Sequence, residues 1–478
     1  MKRLLLWCED RPGLILAVSA IVFLSLSYGQ DGISLDSATY AVTARNMAEH
    51  GSWFNPDYTE FYHSKFAEHP PLVMWAQGLI FLVIDPNDSS ARIFGAMCTI
   101  GCILLIYLIG ALVADKNYGF LSGLVLLLTY NFMQIGNSTM LDVPLTFFIL
   151  AALYGLIQMW QAEVTDKLSA LTGLALGCAW LTKGVVTMPL WLSLLVAVLI
   201  WKRDWLKNKK FWLMLGLALA LVVLHLVLDQ IFADGRFFHH YFFVQIVRKF
   251  GAAAAHADHD WLQVVRLFAT LYLPFVIFLP IGLIYLIRKK IKAIYPILIT
   301  LLFFFIFYSI PAVLYNHYFA PFYALSAPIV ACFFYQFLKP HWIRKLAFGF
   351  LIVWIAAAVV VKITGVRLQS IRTPEIYSLN EQMNRLLGNS PTRYGLTVDV
   401  NGPNWDWVAK AAWYWRSDIQ NAGSVADAAA LMDTIDFAYV LLDAKQTDIK
   451  DSLTNYTKEE LITAIENANV TVLVKKKM

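Results

Sequence analysis

The chain has 478 residues, of which 59% are hydrophobic and 15% charged, and its mean hydropathy is +0.59. Those values lie outside the range of soluble domains and inside that of polytopic membrane proteins. The formal net charge of +5 does not indicate nucleic acid, because the basic residues sit in short clusters between apolar runs, as the positive-inside rule arranges them.

The N-terminal run from Met1 to Arg11, followed by apolar Pro12 to Tyr28, reads as an uncleaved signal anchor, since no small-residue cleavage site follows. A span needs about 20 apolar residues. Segments of about that length lie near 12–28, 90–114, 117–134, 140–161, 167–182, 184–201, 211–231, 263–287, 293–313, 316–338 and 343–364. The run Pro70 to Ile84 is shorter and suits an interfacial or re-entrant helix. The cysteines Cys8, Cys98, Cys102, Cys178 and Cys332 fall in or beside apolar segments, with neither a disulfide framework nor a zinc spacing.

Basic clusters at Lys202–Lys210, Arg288–Lys292 and Lys339–Lys345 fall on one side in this count, and that side is expected to be the cytoplasm, with Lys2 and Arg3. About eleven spans then put the tail outside. The expected fold class is an α-helical polytopic membrane protein, residues 1–365, with external loops 29–69 and 232–262. Residues 366–478 follow as an extracytoplasmic α/β domain. Within that tail the pattern predicts an amphipathic run Pro374–Leu387, strands Tyr394–Val400, Phe437–Leu442 and Asn469–Val474, and a helix Ser424–Met432. Another helix, Thr457–Ala468, is predicted from a capping box of Thr457 and Glu460.

Polar residues able to carry chemistry gather on the external side. Asp36, in Leu35-Asp36-Ser37-Ala38-Thr39-Tyr40, reads as a helix N-cap and also as a carboxylate able to accept a proton from an attacking hydroxyl. Asp142, in Leu141-Asp142-Val143-Pro144, begins a span, where the helix dipole favours an acid. His69 enters the short helix at Glu68-His69-Pro70-Pro71. Lys183, in Thr182-Lys183-Gly184, lies between two apolar runs and is either snorkelling or paired for a function. The second loop carries Arg236-Phe237-Phe238-His239-His240-Tyr241, then Arg248-Lys249-Phe250, then His256-Ala257-Asp258-His259-Asp260; its spacing matches no strong metal signature. His317 and Asn316 stand among tyrosines that suit a membrane-interface belt.

The order and shared side of these motifs resemble the GT-C membrane glycosyltransferases, with the nearest likeness to the aminoarabinose transferase and protein O-mannosyltransferase-like branch. It covers roughly residues 30 to 340. The resemblance implies a plasma-membrane, bacterial, multi-pass enzyme that moves a hexosyl or pentosyl group, with inversion, from a polyprenyl-phosphate sugar such as an undecaprenyl-phosphate sugar. The acceptor would be a lipid, glycan or protein of the cell envelope, with lipid A or protein glycosylation as contexts.

Asp36 is then the expected base, with Asp142 as its helper. Tyr40, His69, Lys183, Arg248, Lys249, His256 and His317 are expected to bind substrate, and Lys183 with Arg248 or Lys249 to stabilise the leaving phosphate. No metal or other cofactor is required, although a divalent ion is compatible with the chemistry. Departures at Ser37, His69 and Gln245-Ile246 from the aminoarabinose pattern leave sugar and acceptor open. The alternative, a transporter or lipid flippase, commonly shows internal repeats, and none is apparent here.

Overall fold

Apolar chain in a bilayer has no water to satisfy its N–H and C=O groups, so a non-barrel span must be helical. Each of the predicted apolar segments holds helix in the computed structural model, which describes residues 11–26, 32–62, 65–248, 260–311, 313–364, 374–388, 393–456, 461–466 and 469–475. Two compact units are formed: Met1–Gln30 with Ala67–Gln369, and Asp31–Phe66 with Ser370–Met478. A division at 365 therefore misses that residues 31–66 belong to the same unit as the tail.

In the first unit and among the described residues, five helical stretches are long and apolar enough to cross a membrane: Asp88–Val113, Asp142–Gln161, Asp166–Trp201, Lys209–Ala233 and Asn316–Phe337. Two bent pairs qualify jointly, Lys116–Leu127 with Tyr130–Gly136 at 72° and Gln263–Leu271 with Phe275–Arg288 at 117°. Helix Leu72–Phe81 has 10 residues, too few to span.

The stretch Asp166–Trp201 is not one straight helix. Its 36 residues would extend roughly 54 Å, yet the Trp160 and Trp201 rings are 6.1 Å apart. Lys202 Nζ also donates to the Trp160 carbonyl at 3.2 Å, and Lys210 Nζ to that of Val164 at 2.8 Å. The chain doubles back at the 3-10 turn Gly184–Thr187, where Gly184 has φ +59°, so segments 167–182 and 184–201 are separate legs, as predicted.

This hairpin defines two ends of the bundle. Helix Asp142–Gln161 has 20 residues, about 30 Å, the thickness of a bilayer's hydrocarbon core. Lys202 and Lys210 sit at its Gln161 end, and the ring of Tyr295, just after the Arg288–Lys292 cluster, lies 5.8 Å from that of Trp201. Asp142 and Lys183 occupy the other end. Helices approach closely where side chains are small: a Cβ at Gly173 would run into the Met214 carbonyl, whereas one at Gly216 would meet nothing within 4 Å.

In the second unit, five strands, β1 (Tyr394–Val398), β2 (Asp418–Ala422), β3 (Tyr439–Asp443), β4 (Leu461–Glu466) and β5 (Val470–Lys475), form a sheet in the order β2-β1-β3-β5-β4. β1 pairs parallel with β2 and β3, while β5 pairs antiparallel with β3 and β4. Successive side chains alternate between faces, so Tyr439 and Leu441 join one core with Trp407, Trp415 and Ile419. Val440 and Leu442 join the other, with Leu396, Ala428 and Leu453. Covered on both sides, β3 is apolar and buried from Tyr439 to Leu442, as a central strand is expected to be.

The predicted helix Thr457–Ala468 is corrected: Leu461–Glu466 is strand β4, while Thr457 and Glu460 lie outside the described residues. Ile462, Thr463 and Ile465 are β-branched and fit the open edge of β5. Run Pro374–Leu387 divides into helices Pro374–Ser378 and Asn380–Leu387, and helix Trp405–Lys410 and β2 were not anticipated.

Substituting Gly173→Ala is expected to cost about 1–3 kcal/mol by overpacking, whereas Gly216→Ala is expected to be neutral or to gain about 0.5–1 kcal/mol by removing helical glycine. Thermal unfolding of both variants in detergent measures the difference; equal melting temperatures would refute the tight crossing at Gly173.

Candidate active site

Helix Asp142–Gln161 begins on a carboxylate and helix Asp166–Lys183 ends on an amine, the placement each helix dipole favours. Lys183 Nζ donates to Asp142 Oδ1 at 2.7 Å, and the two side chains are only 7% and 3% exposed. A buried charge is costly unless partnered. The pair supplies that partner and overturns the snorkelling alternative for Lys183.

The surroundings fix the amine further. The Tyr318 ring lies 4.8 Å from Lys183 Nζ, where its electron-rich face attracts a cation. The Tyr241 hydroxyl donates to the Lys183 carbonyl at 2.9 Å and accepts from the Val185 N–H at 2.7 Å. Gly184 is needed between them because a Cβ there would strike that hydroxyl. Tyr308 contacts Tyr318 with ring centroids 5.5 Å apart. Of an ammonium's three N–H bonds, Asp142 accepts one, so Lys183 is a fixed donor held by a carboxylate and an aromatic face.

The predicted residues distribute as follows. Asp142 and Lys183 are brought together, with His317 one residue from the linking Tyr318 and edge-on to its ring at 4.7 Å. His69, half-buried, precedes helix Leu72–Phe81 in the same unit. Arg248 ends the π-helical stretch His240–Arg248; Lys249 and His256 lie outside the described residues.

Asp36 and Tyr40 belong to the second unit, on helix Leu35–His50. Ser34, not Asp36, is the N-cap: its hydroxyl accepts from the Ser37 N–H at 3.3 Å, and Asp36 stands half-buried in the first turn. Tyr40 is buried edge-on to Phe66, 6.1 Å between centroids.

Tyr241 and Tyr318 were not singled out as supports of Lys183. The bulky aromatic run and the glycine after Lys183 were the available signals, but neither indicates a partner. Among the described residues no three His, Cys, Asp or Glu side chains gather as a metal site.

The second unit holds a cleft of about 650 Å³ whose charged lining includes Arg45, Glu49, Asp57, Glu60, Lys65, Arg416 and Asp418. Its charges are largely tied to one another: Lys65 to Asp57 at 2.9 Å, Arg416 to Glu49 at 2.9 Å. Burial raises the carboxyl of Asp418 above its ordinary range, opposed by the Glu60 N–H that donates to it and by Arg45.

A family model described as "Dolichyl-phosphate-mannose-protein mannosyltransferase" matches residues 68–228. An undecaprenyl phosphate-alpha-4-amino-4-deoxy-L-arabinose arabinosyl transferase of Shewanella sediminis is 24% identical over 292 residues, 59% of this chain and 51% of the relative, so the chain spans about half its length. A second such transferase, from Proteus mirabilis, is 23% identical over 394 residues, 79% of this chain and 69% of that protein.

The crystal structure of ArnT from Cupriavidus metallidurans bound to undecaprenyl phosphate superposes with a TM-score of 0.74 at 16% identity, covering 96% of this chain and 97% of that one. The archaeal oligosaccharyltransferase AglB from Archaeoglobus fulgidus gives 0.59 at 14% identity, covering 95% and 72%. The fold is thus that of the GT-C membrane glycosyltransferases. Within that class, the relatives and the solved structure to which the chain is similar are aminoarabinose transferases.

Two outcomes follow for the side chains. Lys183→Met alone leaves Asp142 buried without its cation and is expected to cost about 3–5 kcal/mol, much of which the double variant Asp142→Leu/Lys183→Met restores; denaturant titration of the three proteins measures the coupling, and additive losses would refute it. For Asp418, a folded pKa above the unfolded one favours the protonated form, so its ionisation costs stability above that range and costs nothing below the unfolded pKa. Asp418→Asn is therefore expected to melt higher than wild type at pH 7, with the difference vanishing below about pH 4; a lower melting temperature at pH 7 would contradict this.

Proposed function

We propose that the chain is a glycosyltransferase that moves a sugar from a polyprenyl-phosphate donor to an acceptor on the external face of the membrane, with inversion at the anomeric carbon. The observation that carries this reading is the agreement of two likenesses. Relatives named as undecaprenyl-phosphate aminoarabinose transferases match 59% and 79% of the chain, and an ArnT structure bound to undecaprenyl phosphate shares the fold over nearly the whole chain.

The chemistry needs a base for the attacking hydroxyl and cations for the departing phosphate. Asp36 is the proposed base: its carboxylate takes the hydroxyl proton as the acceptor oxygen bonds to the anomeric carbon. The bond from that carbon to the phosphate oxygen breaks, and the electron pair stays on the polyprenyl phosphate. Lys183, with Arg248 or Lys249, stabilises the added charge. Asp142 takes a narrower part than a second acid, holding Lys183 Nζ in place through the 2.7 Å bond. Single displacement from the opposite face gives inversion, and no step needs a metal.

The proposed topology puts the end bearing Lys202, Lys210 and the Arg288–Lys292 cluster in the cytoplasm, by the positive-inside rule, and the end bearing Asp142 and Lys183 outside. Sugar and acceptor are left as classes: a hexosyl or pentosyl group, and a lipid, glycan or protein of the bacterial envelope.

The test supplies purified protein with polyprenyl-phosphate sugars and a cell-envelope acceptor fraction, and follows release of polyprenyl phosphate. Asp36→Asn is expected to lower turnover roughly 10²–10⁴-fold, the usual range for lost general-base catalysis. Equal turnover by the two proteins would reject Asp36 as the base.

A further inference from the structure

Helix Leu35–His50 has 16 residues, a length at which an isolated helix is marginal in water. Its place must come from tertiary contacts. Two of its polar side chains, Arg45 and Asn46, are buried, and buried polar groups require partners.

The partners of Arg45 come from the tail. The last carbonyls of a helix have no partner within it, and the helical stretch Trp405–Trp415 ends at Arg416, which takes the left-handed conformation at φ +51°. Arg45 supplies what those carbonyls lack: Nη1 donates to the Trp413 oxygen at 3.1 Å and Nη2 to the Ala412 oxygen at 3.0 Å. The guanidinium fork reaches two successive carbonyls at once, which a lysine ammonium does not reproduce. Its carbon Cζ also lies 5.7 Å from the centre of the Trp413 ring.

Two more contacts fall along the same helix. Near its end, both Glu49 oxygens accept from Arg416, each at 2.9 Å. Before its start, the Ile33 N–H donates to the Tyr414 hydroxyl at 3.2 Å. Asp36 thus lies between fixed points, three residues after Ile33 and about 14 Å along the helix axis from Arg45.

We propose that the tail is the positioning element for the Asp36 helix, with Arg45, Glu49 and Arg416 as its positioning residues. Its role in turnover rests on the reading of Asp36 as the base. The tail then acts on the reaction through the place it gives Asp36: a carboxylate must be placed to within a fraction of an ångström to take a proton. The helix that carries Asp36 is held by residues more than 360 positions away in sequence.

The test uses full-length protein and two readouts, hydrogen–deuterium exchange of amides 35–50 and steady-state kinetics with a polyprenyl-phosphate sugar. Arg416→Glu, which sets two carboxylates against each other, is expected to raise exchange across 35–50 at least tenfold. It should lower kcat at least tenfold with KM for the donor within about twofold. The exchanged pair Glu49→Arg/Arg416→Glu is expected to recover both to within about threefold of wild type. Arg45→Met should act as Arg416→Glu does; if it does not fold, the Glu49 and Arg416 variants decide alone.

Unchanged exchange in Arg416→Glu, or raised exchange with unchanged kcat while Asp36→Asn is inactive, would overturn the proposal. Should Asp36→Asn keep full turnover, the base reading fails by itself. Positioning is then judged on exchange: a rise in Arg416→Glu reversed by the exchanged pair supports it, and no reversal overturns it.

Discussion

A bilayer leaves no solvent to receive a stray charge, and that constraint shapes the first unit. Its helices are apolar, and close approaches use glycine, as where Gly173 meets the Met214 carbonyl. The ionised groups of helices Asp142–Gln161 and Asp166–Lys183 that are deeply buried are bonded to each other. The Lys183–Asp142 pair follows directly: one helix brings a carboxylate at its start, the next brings an amine at its end, and a hairpin between Trp160 and Trp201 keeps both at one level. Tyr318 and Tyr241 complete the setting, one by its ring face and one by bonding to the backbone around Gly184. The result is an amine that cannot wander, which suits a group receiving the charge of a leaving phosphate.

The second unit obeys aqueous rules. A mixed sheet is covered on both faces, and the helix bearing Asp36 is joined to it by hydrogen bonds from Arg45 and by the Glu49–Arg416 pair. An exposed ion pair contributes little alone, but here it reinforces a buried guanidinium that satisfies two helix-end carbonyls. The tail without catalytic signatures therefore has work to do through geometry.

Features encoded locally were legible before the structure was known. Hydropathy located the apolar helices of the first unit, though among the described residues only five stretches, or seven with the bent pairs, are long enough to span, and alternation located β1, β3 and β5. Lys183 stood out because a cation between two apolar runs demands explanation, and Asp142 because it opens a span. Their bond was not legible, since 41 residues separate them and no local pattern encodes which helix faces which. For the same reason the union of residues 31–66 with the tail was missed. Thr457 and Glu460 suggested a helix by local propensity, but Leu461–Glu466 pairs with β5, a tertiary preference that overrode it. The N-cap fell on Ser34 rather than Asp36 because a cap depends on where backbone geometry turns helical, two residues earlier than the acid suggested.

The central claim is that the molecule breaks the bond between a sugar and a polyprenyl phosphate rather than carrying the intact lipid across. Wild-type protein in sealed proteoliposomes, given a polyprenyl-phosphate sugar labelled in both sugar and phosphate together with an envelope acceptor fraction, distinguishes the two most directly. The account predicts that the labels separate, the phosphate remaining on the polyprenyl lipid and the sugar appearing on the acceptor. Movement of both labels together to the opposite leaflet, with no polyprenyl phosphate released, would contradict it.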